Sequence, residues 1–385
     1  MGFSLNSLGT IGIILLLSNS TLQNVHYGVD LVTKLSNNWV PIIIKEISKE
    51  HENVVTSPYG LLSNLGMLFE ATRGKTREEF LQVLNITADD VGDLRKGFKA
   101  YCDLFLKYSN DPEAAGSFNS ASMVSSFKLN ATYKETLEKY YCANITENSG
   151  KMNHTTLELG SITGVMSHWK DYDKLAVYTF LSHQPMKPFK KRDGTIVGVP
   201  MIPQVGVFRG GRWENSNVIL LPLQAKLVEL LLIVPDEVAM LDVTLKKLHD
   251  ITIPVLVESL QKQEIEVFVP QASIVNKNYN LTSMLVRNGI RRVFDPVKAN
   301  LSKASSFGPN DIIHLTKFDQ NAFFSTSFVA VNSVSGISSA SGNRRRRRNA
   351  KSIYLDQPFL FFVIQKDTQL VLLSGKLENP VQVPL

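Results

Sequence analysis

The order of secondary-structure signals along the chain is the feature that most restricts its fold. In the first part, apolar residues recur at helical spacing, as at Leu61, Leu65 and Leu68. This spacing predicts helices over residues 26–50 (interrupted at Pro41), 61–85, 93–108 and 131–141. The second half contains strand-length runs of β-branched and aromatic residues, at 227–234, 265–269, 323–331, 353–364 and 370–377. Because helices precede strands without βαβ alternation, we expect an α+β fold with large mixed sheets.

Length and composition are those of a folded protein, and they leave the number of domains open. The 385 residues are 44% hydrophobic and 20% charged, which excludes a disordered chain. A chain of this length is compatible with one large domain or with two or three ordinary ones. No internal repeat and no Pro/Gly-rich linker divides it, so we predict a single domain.

The positive charge is concentrated in one place. The net charge is +6, and five positive charges form the unbroken run Arg344, Arg345, Arg346, Arg347 and Arg348, so the remainder carries +6 − 5 = +1. A nucleic-acid-binding protein spreads Lys and Arg over a face or groove. The sequence therefore predicts no nucleic-acid partner.

Local signatures of catalysis are missing. The chain lacks G-x-S-x-G, H-E-x-x-H, G-x-x-x-x-G-K-[ST], G-x-G-x-x-G and C-x-x-C, and its seven histidines show no metal-ligand spacing. Two cysteines, Cys102 and Cys142, are too few for a Cys-only zinc site. We expect no enzyme activity, metal or cofactor, and the cysteines are compatible with a disulfide or with two buried thiols.

The N-terminus and six sequons indicate secretion. An apolar stretch from Ile11 to Leu17, followed by small residues, predicts a signal peptide over 1–20 and a mature domain over 21–385. No second apolar stretch approaches the ~20 residues of a membrane span. We therefore expect an extracellular glycoprotein with no membrane anchor. The sequons predicted to carry glycans are Asn85, Asn130, Asn144, Asn153, Asn280 and Asn300.

Residues 333–351 do not fit the alternation of strands around them. This segment has small residues followed by the arginine run, so it cannot bury a face and must be an exposed loop. Three interpretations of the arginines are a solvated charge patch, a site for a heparin-like polyanion or nucleic acid, and a cleavage site for proteases that cut after basic residues. We favour protease cleavage, because flexible exposed segments are where such cleavage occurs.

Several motifs together resemble the serpin family, and the resemblance covers nearly all of the predicted mature chain. The most specific is Ile353-Tyr-Leu-Asp-Gln-Pro-Phe-Leu-Phe-Phe-Val363, which matches the family signature that follows the reactive loop. Supporting motifs are Thr56-Ser57-Pro58, Leu65-Gly-Met-Leu68, Gly74-Lys-Thr76, Val199-Pro-Met201, Asn288-Gly-Ile290 with Phe294, and Leu373-Leu-Ser-Gly-Lys376.

The resemblance implies a fold and a mechanism. It implies three β-sheets, about nine helices and an exposed reactive-centre loop over about 333–351. Serpins inhibit serine proteases as suicide substrates, since the cleaved loop inserts into the central sheet as a new strand. Val331-Asn332 matches the family motif before the loop, and counting sixteen residues from Ser333 makes Arg348 the best P1 candidate, with Arg347 as the next. The small hinge residues that suit insertion are Ser335, Gly336, Ser338, Ser339 and Ala340.

Departures from the family pattern support a second hypothesis. Ser333 and Val334 replace the two hinge glutamates, and the bulky Ile337 lies where insertion would begin. Gly60 replaces the second serine of the family motif S-P-x-S. Ser325 stands where the resemblance places a histidine, in the region where the central sheet of serpins opens. The alternative to an inhibitor of a trypsin-like or paired-basic-specific protease is thus a non-inhibitory carrier or signalling serpin. We expect a monomer in either case, and the divergent, secreted character is similar to insect accessory-gland serpins of seminal fluid.

Overall fold

The computed structural model describes residues 26–109, 115–124, 129–148, 156–165, 186–304, 314–315, 318–325 and 351–380. Helices dominate its first part. The α-helices are α1 (26–38), α2 (Val40–Ile47), α3 (Pro58–Ala71), α4 (Gly74–Leu84), α5 (Val91–Tyr108), α6 (Ala131–Tyr141), α7 (Leu241–Lys247), α8 (Ile253–Glu258) and α9 (Thr282–Arg287). The predicted interruption at Pro41 is confirmed, because α2 begins at Val40 with that proline in its first turn.

Strands occur throughout the chain and not only in its second half. They are β1 (Val54–Thr56), β2 (Ala115–Val124), β3 (Asn144–Asn148), β4 (Thr156–Val165), β5 (Met186–Lys190), β6 (Ile196–Trp213), β7 (Ser216–Pro222), β8 (Val228–Pro235), β9 (Gln261–Pro270), β10 (Ser273–Asn280), β11 (Asp319–Ser325), β12 (Lys351–Tyr354), β13 (Phe359–Gln365) and β14 (Val371–Leu377).

These strands form the expected α+β architecture. Five of them make one mixed sheet in the order β10-β11-β4-β2-β3. The other nine are hydrogen-bonded in the order β1-β14-β13-β8-β7-β6-β9-β12, with β5 also paired to β6. The long strand β6 divides this set in two, because residues 196–210 pair with β5 and β9 while residues 209–213 pair with β7. The three sheets implied by the resemblance are therefore present, and two of them share β6.

The core lies on both faces of β13 and β14. All seven residues of each strand are buried. Alternate residues belong to different clusters: Phe361 packs in the larger core, whereas Leu360 and Phe362 pack in the cluster that contains Ile44 of α2. A strand covered on both faces has a continuous apolar sequence, and this is why residues 359–365 lack a period-2 pattern.

At Gly375 the last strand, β14, lies in close contact with β1 and β13. A Cβ there would lie 1.9 Å from the carbonyl oxygen of Val54 on β1 and 2.6 Å from the ring of Phe361 on β13. Only glycine fits this position. The ring of Phe361 in turn stacks on that of Phe324 of β11, with 4.1 Å between the centroids. This contact fixes β11, and hence the start of the loop, against the rigid β13–β14 pair.

Candidate functional site

The predicted loop is attached to two different sheets. β11 ends at Ser325 in the five-stranded sheet, and β12 begins at Lys351, where it pairs in parallel with β9 of the other strand set. The predicted hinge residues and the arginine run lie between these two points, outside the described residues. The structure therefore fixes the anchors of the loop and leaves its P1 and hinge assignments as predictions.

The sheet that precedes the loop has a weakly paired centre. β4 and β11 are parallel neighbours, and among the described residues their register comprises Asn321 with Ile162 and Ala322 with Thr163. On the other side of β4, by contrast, the antiparallel register with β2 runs from Ala115 with Val165 to Val124 with Thr156. In the part of the sheet that the structure describes, fewer residue pairs join β4 to β11 than join β4 to β2, so this part separates most readily between β4 and β11.

Polar side chains bridge this gap from beneath, and we name Thr56, Ser57, Thr163 and Gln320 the clasp. Gln320 of β11 accepts hydrogen bonds from the Thr56 hydroxyl and from the Ser57 N–H (3.1 Å), and its Nε2 donates to the Ser57 carbonyl (2.6 Å). On the other side, the Ser57 hydroxyl donates to Oγ1 of Thr163 on β4 (2.8 Å). Ser57 is thus bonded to both central strands.

The clasp is held by one of the most buried helices of the molecule. Ser57 is the N-cap of α3 and its hydroxyl accepts from the Gly60 N–H (2.9 Å), with Pro58 in the first turn. Every residue of α3 is buried. Because the helix cannot shift without disturbing the core, Ser57 is held in a fixed position between the two central strands.

The structure explains the glycine that departs from the S-P-x-S pattern. A Cβ on Gly60 would lie 2.7 Å from the Ser161 hydroxyl and 2.9 Å from that of Thr163. The Ser161 hydroxyl donates to the Gly60 carbonyl (3.0 Å), and Thr163 also exchanges a hydrogen bond with Ser117 of β2 (2.9 Å). Hydroxyls from β4 therefore occupy the space that the missing serine side chain would need.

Sequence reasoning missed Gln320. It named only Ser325 in this region, as the residue in place of a family histidine, and the side chain of Ser325 is not among those described. The described side chain that bonds to Ser57 is that of Gln320, five residues earlier. Gln320 is 2% exposed. The available signal in the sequence was an amide residue just before the apolar residues Ala322, Phe323 and Phe324. If such a residue is buried with its strand, its amide needs buried hydrogen-bond partners.

The cysteines form a disulfide, which decides the alternative that the sequence left open. Cys102 of α5 is bonded to Cys142 at the end of α6, with Cα atoms 6.1 Å apart. Within the described part of the chain, Cys102, Asp103 and Cys142 are the only candidate group of metal-binding side chains. Both sulfurs are used in the disulfide, so this group is not a metal site. No described helix is long and apolar enough to cross a bilayer.

Five of the six sequons lie in the described residues. Asn85, Asn144, Asn280 and Asn300 are exposed and Asn130 is half-buried, while Asn153 lies outside the description. In three of them the Asn Oδ1 accepts a hydrogen bond from the N–H two residues later, at Thr132 (2.9 Å), Thr282 (2.9 Å) and Ser302 (3.3 Å). This turn uses the acceptor of the amide and leaves its Nδ2, the atom that is glycosylated, directed away from the turn.

Comparison with known proteins identifies the family. The family model described as Serpin (serine protease inhibitor) matches residues 34–157 and 178–380. The chain belongs to the serpin family. This serpin is 24% identical over 395 residues to an uncharacterized serpin-like protein of Thermococcus kodakarensis, covering 94% of this chain and 90% of that protein. It is also 24% identical over 400 residues to glia-derived nexin of Homo sapiens, covering 95% and 98% of the two chains.

Solved structures share the fold. Native protease nexin-1, crystallised with heparin, superposes with a TM-score of 0.74 at 20% identity and covers 92% of this chain and all (100%) of its own. Mouse protein Z-dependent protease inhibitor gives a TM-score of 0.72 at 19% identity, covering 93% and 99%. The family match omits residues 158–177, which include most of β4. This serpin thus departs from the family pattern at one side of the gap.

Proposed function

We propose that this serpin is secreted and inhibits a trypsin-like or paired-basic-specific serine protease, with the basic run as bait and the β4–β11 gap as the site of insertion. The supporting observation is the topology of the gap. β4 and β11 are parallel, so a strand that turns back from β11 would be antiparallel to both of them. It would hydrogen-bond on both sides.

We propose that the residues after β11 supply this strand. Residues 326–350 follow β11 directly, and Ser338, Ser339 and Ala340 are small enough to enter a packed sheet. Insertion increases the separation of β4 and β11 from about 4.8 Å to about 9.6 Å, which is two strand spacings. Ser57 cannot remain bonded to Thr163 and Gln320 at that separation. Opening of the clasp is therefore the step that the bait loop must drive.

Arg348 is the proposed P1 residue, with Arg347 as the alternative. An arginine side chain fits an acidic S1 pocket, and further arginines upstream suit proteases that require consecutive basic residues. The serpin itself performs no turnover in this proposal. It supplies the peptide bond after Arg348: the serine of the protease attacks its carbonyl carbon and forms an ester, the C–N bond breaks, and the new amino terminus at Asn349 leaves.

The test is whether a covalent complex forms. The secreted protein is mixed with trypsin and analysed under denaturing conditions, alongside Arg348→Ala and a control, Arg344→Ala, which retains four arginines before the cut. We expect a denaturant-resistant complex with the parent and the control, and its loss or a shifted cut with Arg348→Ala. Clean cleavage of the parent without any complex would contradict the inhibitory proposal.

That contradictory result would favour the second candidate, a non-inhibitory carrier or signalling serpin. Ser333, Val334 and Ile337 support it, because glutamates are replaced and a bulky residue lies where insertion begins. The basic run also supports a heparin-like polyanion as a partner, since arginines pair with sulfates. Elution from a heparin column at lower salt after replacement of Arg345 and Arg346 by alanine would support such binding, and unchanged elution would exclude this site. We also propose that the protein is a monomer and a serpin of insect seminal fluid.

A further inference from the structure

Two of the sequons lie on the two edges of the five-stranded sheet. In the strand order, β3 and β10 are the outermost strands, and no further strand pairs with either among the described residues. Asn144 is the first residue of β3 and Asn280 is the last residue of β10. Both side chains are exposed.

Such edges can pair with other chains. An edge strand presents unpaired N–H and C=O groups that a strand of another molecule can use, and soluble proteins block these edges with charges, prolines, bulges or covering segments. β3 has the sequence Asn-Ile-Thr-Glu-Asn and contains no proline or lysine. Its register with β2 is regular from Asn144 to Asn148, so no bulge interrupts it. Glu147 is its one charged residue, whereas β10 contains Lys277 and has a register shift between Asn276 and Tyr279. β3 therefore has less protection of its own than β10, and the glycan matters more at its edge.

The local geometry suits a glycan at both positions. Asn280 Oδ1 is bonded to the Thr282 N–H, which leaves Nδ2 for attachment. On β3, Asn144 and Thr146 of the sequon are both exposed, with the half-buried Ile145 between them. A glycan at the first residue of β3 and another at the last residue of β10 would cover one end of each edge, because N-linked glycans are bulky and hydrated.

We propose that glycans on Asn144 and Asn280 protect the edges of the five-stranded sheet and prevent intermolecular strand addition. This role rests on the proposed secretion. It is distinct from that of the other described sequons, because Asn85 follows α4, Asn130 caps α6 and Asn300 lies outside the described strands.

The test uses Thr146→Ala with Asn280→Ser, expressed through the secretory pathway. Serine at 280 keeps an acceptor for the Thr282 N–H but abolishes the sequon. Thr132→Ala removes the sequon of Asn130 by the same change at an exposed position away from the sheet edges. Thr146→Ser keeps the edge sequon. Occupancy is measured by glycopeptide mass spectrometry, and the monomer remaining after incubation below the melting temperature is measured by size-exclusion chromatography.

We expect occupied Asn144 and Asn280 in the parent. We also expect a several-fold faster loss of monomer in the edge double variant, with Thr132→Ala and Thr146→Ser like the parent. Glycans found only at other sequons would overturn the proposal and leave the support for secretion intact, whereas no glycan at any sequon would overturn the proposal and also remove the sequons as support for secretion. Equal aggregation of the edge and Thr132→Ala variants, with both edges occupied in the parent, would also overturn edge protection.

Discussion

Gln320→Met should destabilise the intact serpin. Methionine has nearly the shape of glutamine and forms none of its three hydrogen bonds to Thr56 and Ser57. At about 1 kcal/mol per bond, the loss is about 3 kcal/mol. Unfolding of a chain of 385 residues has an entropy of about 0.8 kcal/mol/K, at about 2.1 cal/mol/K per residue. The melting temperature of the intact protein should therefore fall by about 4 °C.

The assay compares the melting temperatures of intact and cleaved protein for two clasp variants, Gln320→Met and Thr163→Val. Insertion must break the bonds of Ser57 to one central strand, so at least one of these variants should lose its effect after cleavage. Gln365→Met is the matched control, because Oε1 of this buried glutamine accepts from Asp367 N–H (2.9 Å), Thr368 N–H (2.7 Å) and the Thr368 hydroxyl (2.9 Å) in a turn of the other sheet. It should lower both melting temperatures equally. Equal losses in both forms for both clasp variants would refute the reasoning.

Two further predictions concern stability. Replacing Cys102 and Cys142 by alanine should lower the free energy of unfolding by about 4 kcal/mol, from the loop-entropy relation for a separation of 40 residues. The denatured, unreduced parent should show no reactive thiol, and two reactive thiols would contradict the disulfide. Burial raises the pKa of Tyr101 to about 12 and raises the pKa of Tyr59 and Tyr133 still further. The ordinary pKa of tyrosine is about 10, so above pH 10 the unfolded chain loses these protons while the folded protein keeps them. The free energy of unfolding is therefore unaffected below pH 10 and falls by about 1.4 kcal/mol per tyrosine and pH unit as the pH rises towards 12. Phenolate absorbance from these residues should appear together with unfolding, and ionisation while the fold is intact would contradict their burial.

The sequence predicted the elements whose periodicity is set by their own residues. α6 spans Ala131–Tyr141 as expected, and the predicted strand at 370–377 is β14. The predicted strand at 353–364 is two strands, because Asp356, Gln357 and Pro358 interrupt it and its halves join different parts of the sheet. β6 was missed because it contains several glycines and prolines, which weaken a strand pattern that tertiary pairing with β9 restores.

The site was predictable only in part. Composition predicts the loop, because small residues and like charges cannot form a core, and this stays a prediction because the arginine run lies outside the described residues. The clasp was not, because it joins Ser57, Thr163 and Gln320, which are separated by 106 and 263 residues along the chain in its two bonded pairs. Short polar residues at such separations carry no local pattern. Only the fold brings them together, because it places Ser57, the N-cap of α3, against the parallel pair β4 and β11.

The most direct test of the account is the melting temperature before and after cleavage within Arg344–Arg348. Insertion between β4 and β11 would add a strand bonded on both sides and leave the rest of the fold in place, so the account predicts that the cleaved protein melts well above the intact one. Hydrogen exchange should show new protection in residues 333–343 and along both β4 and β11. A cleaved protein with an unchanged melting temperature and an unprotected loop would contradict insertion.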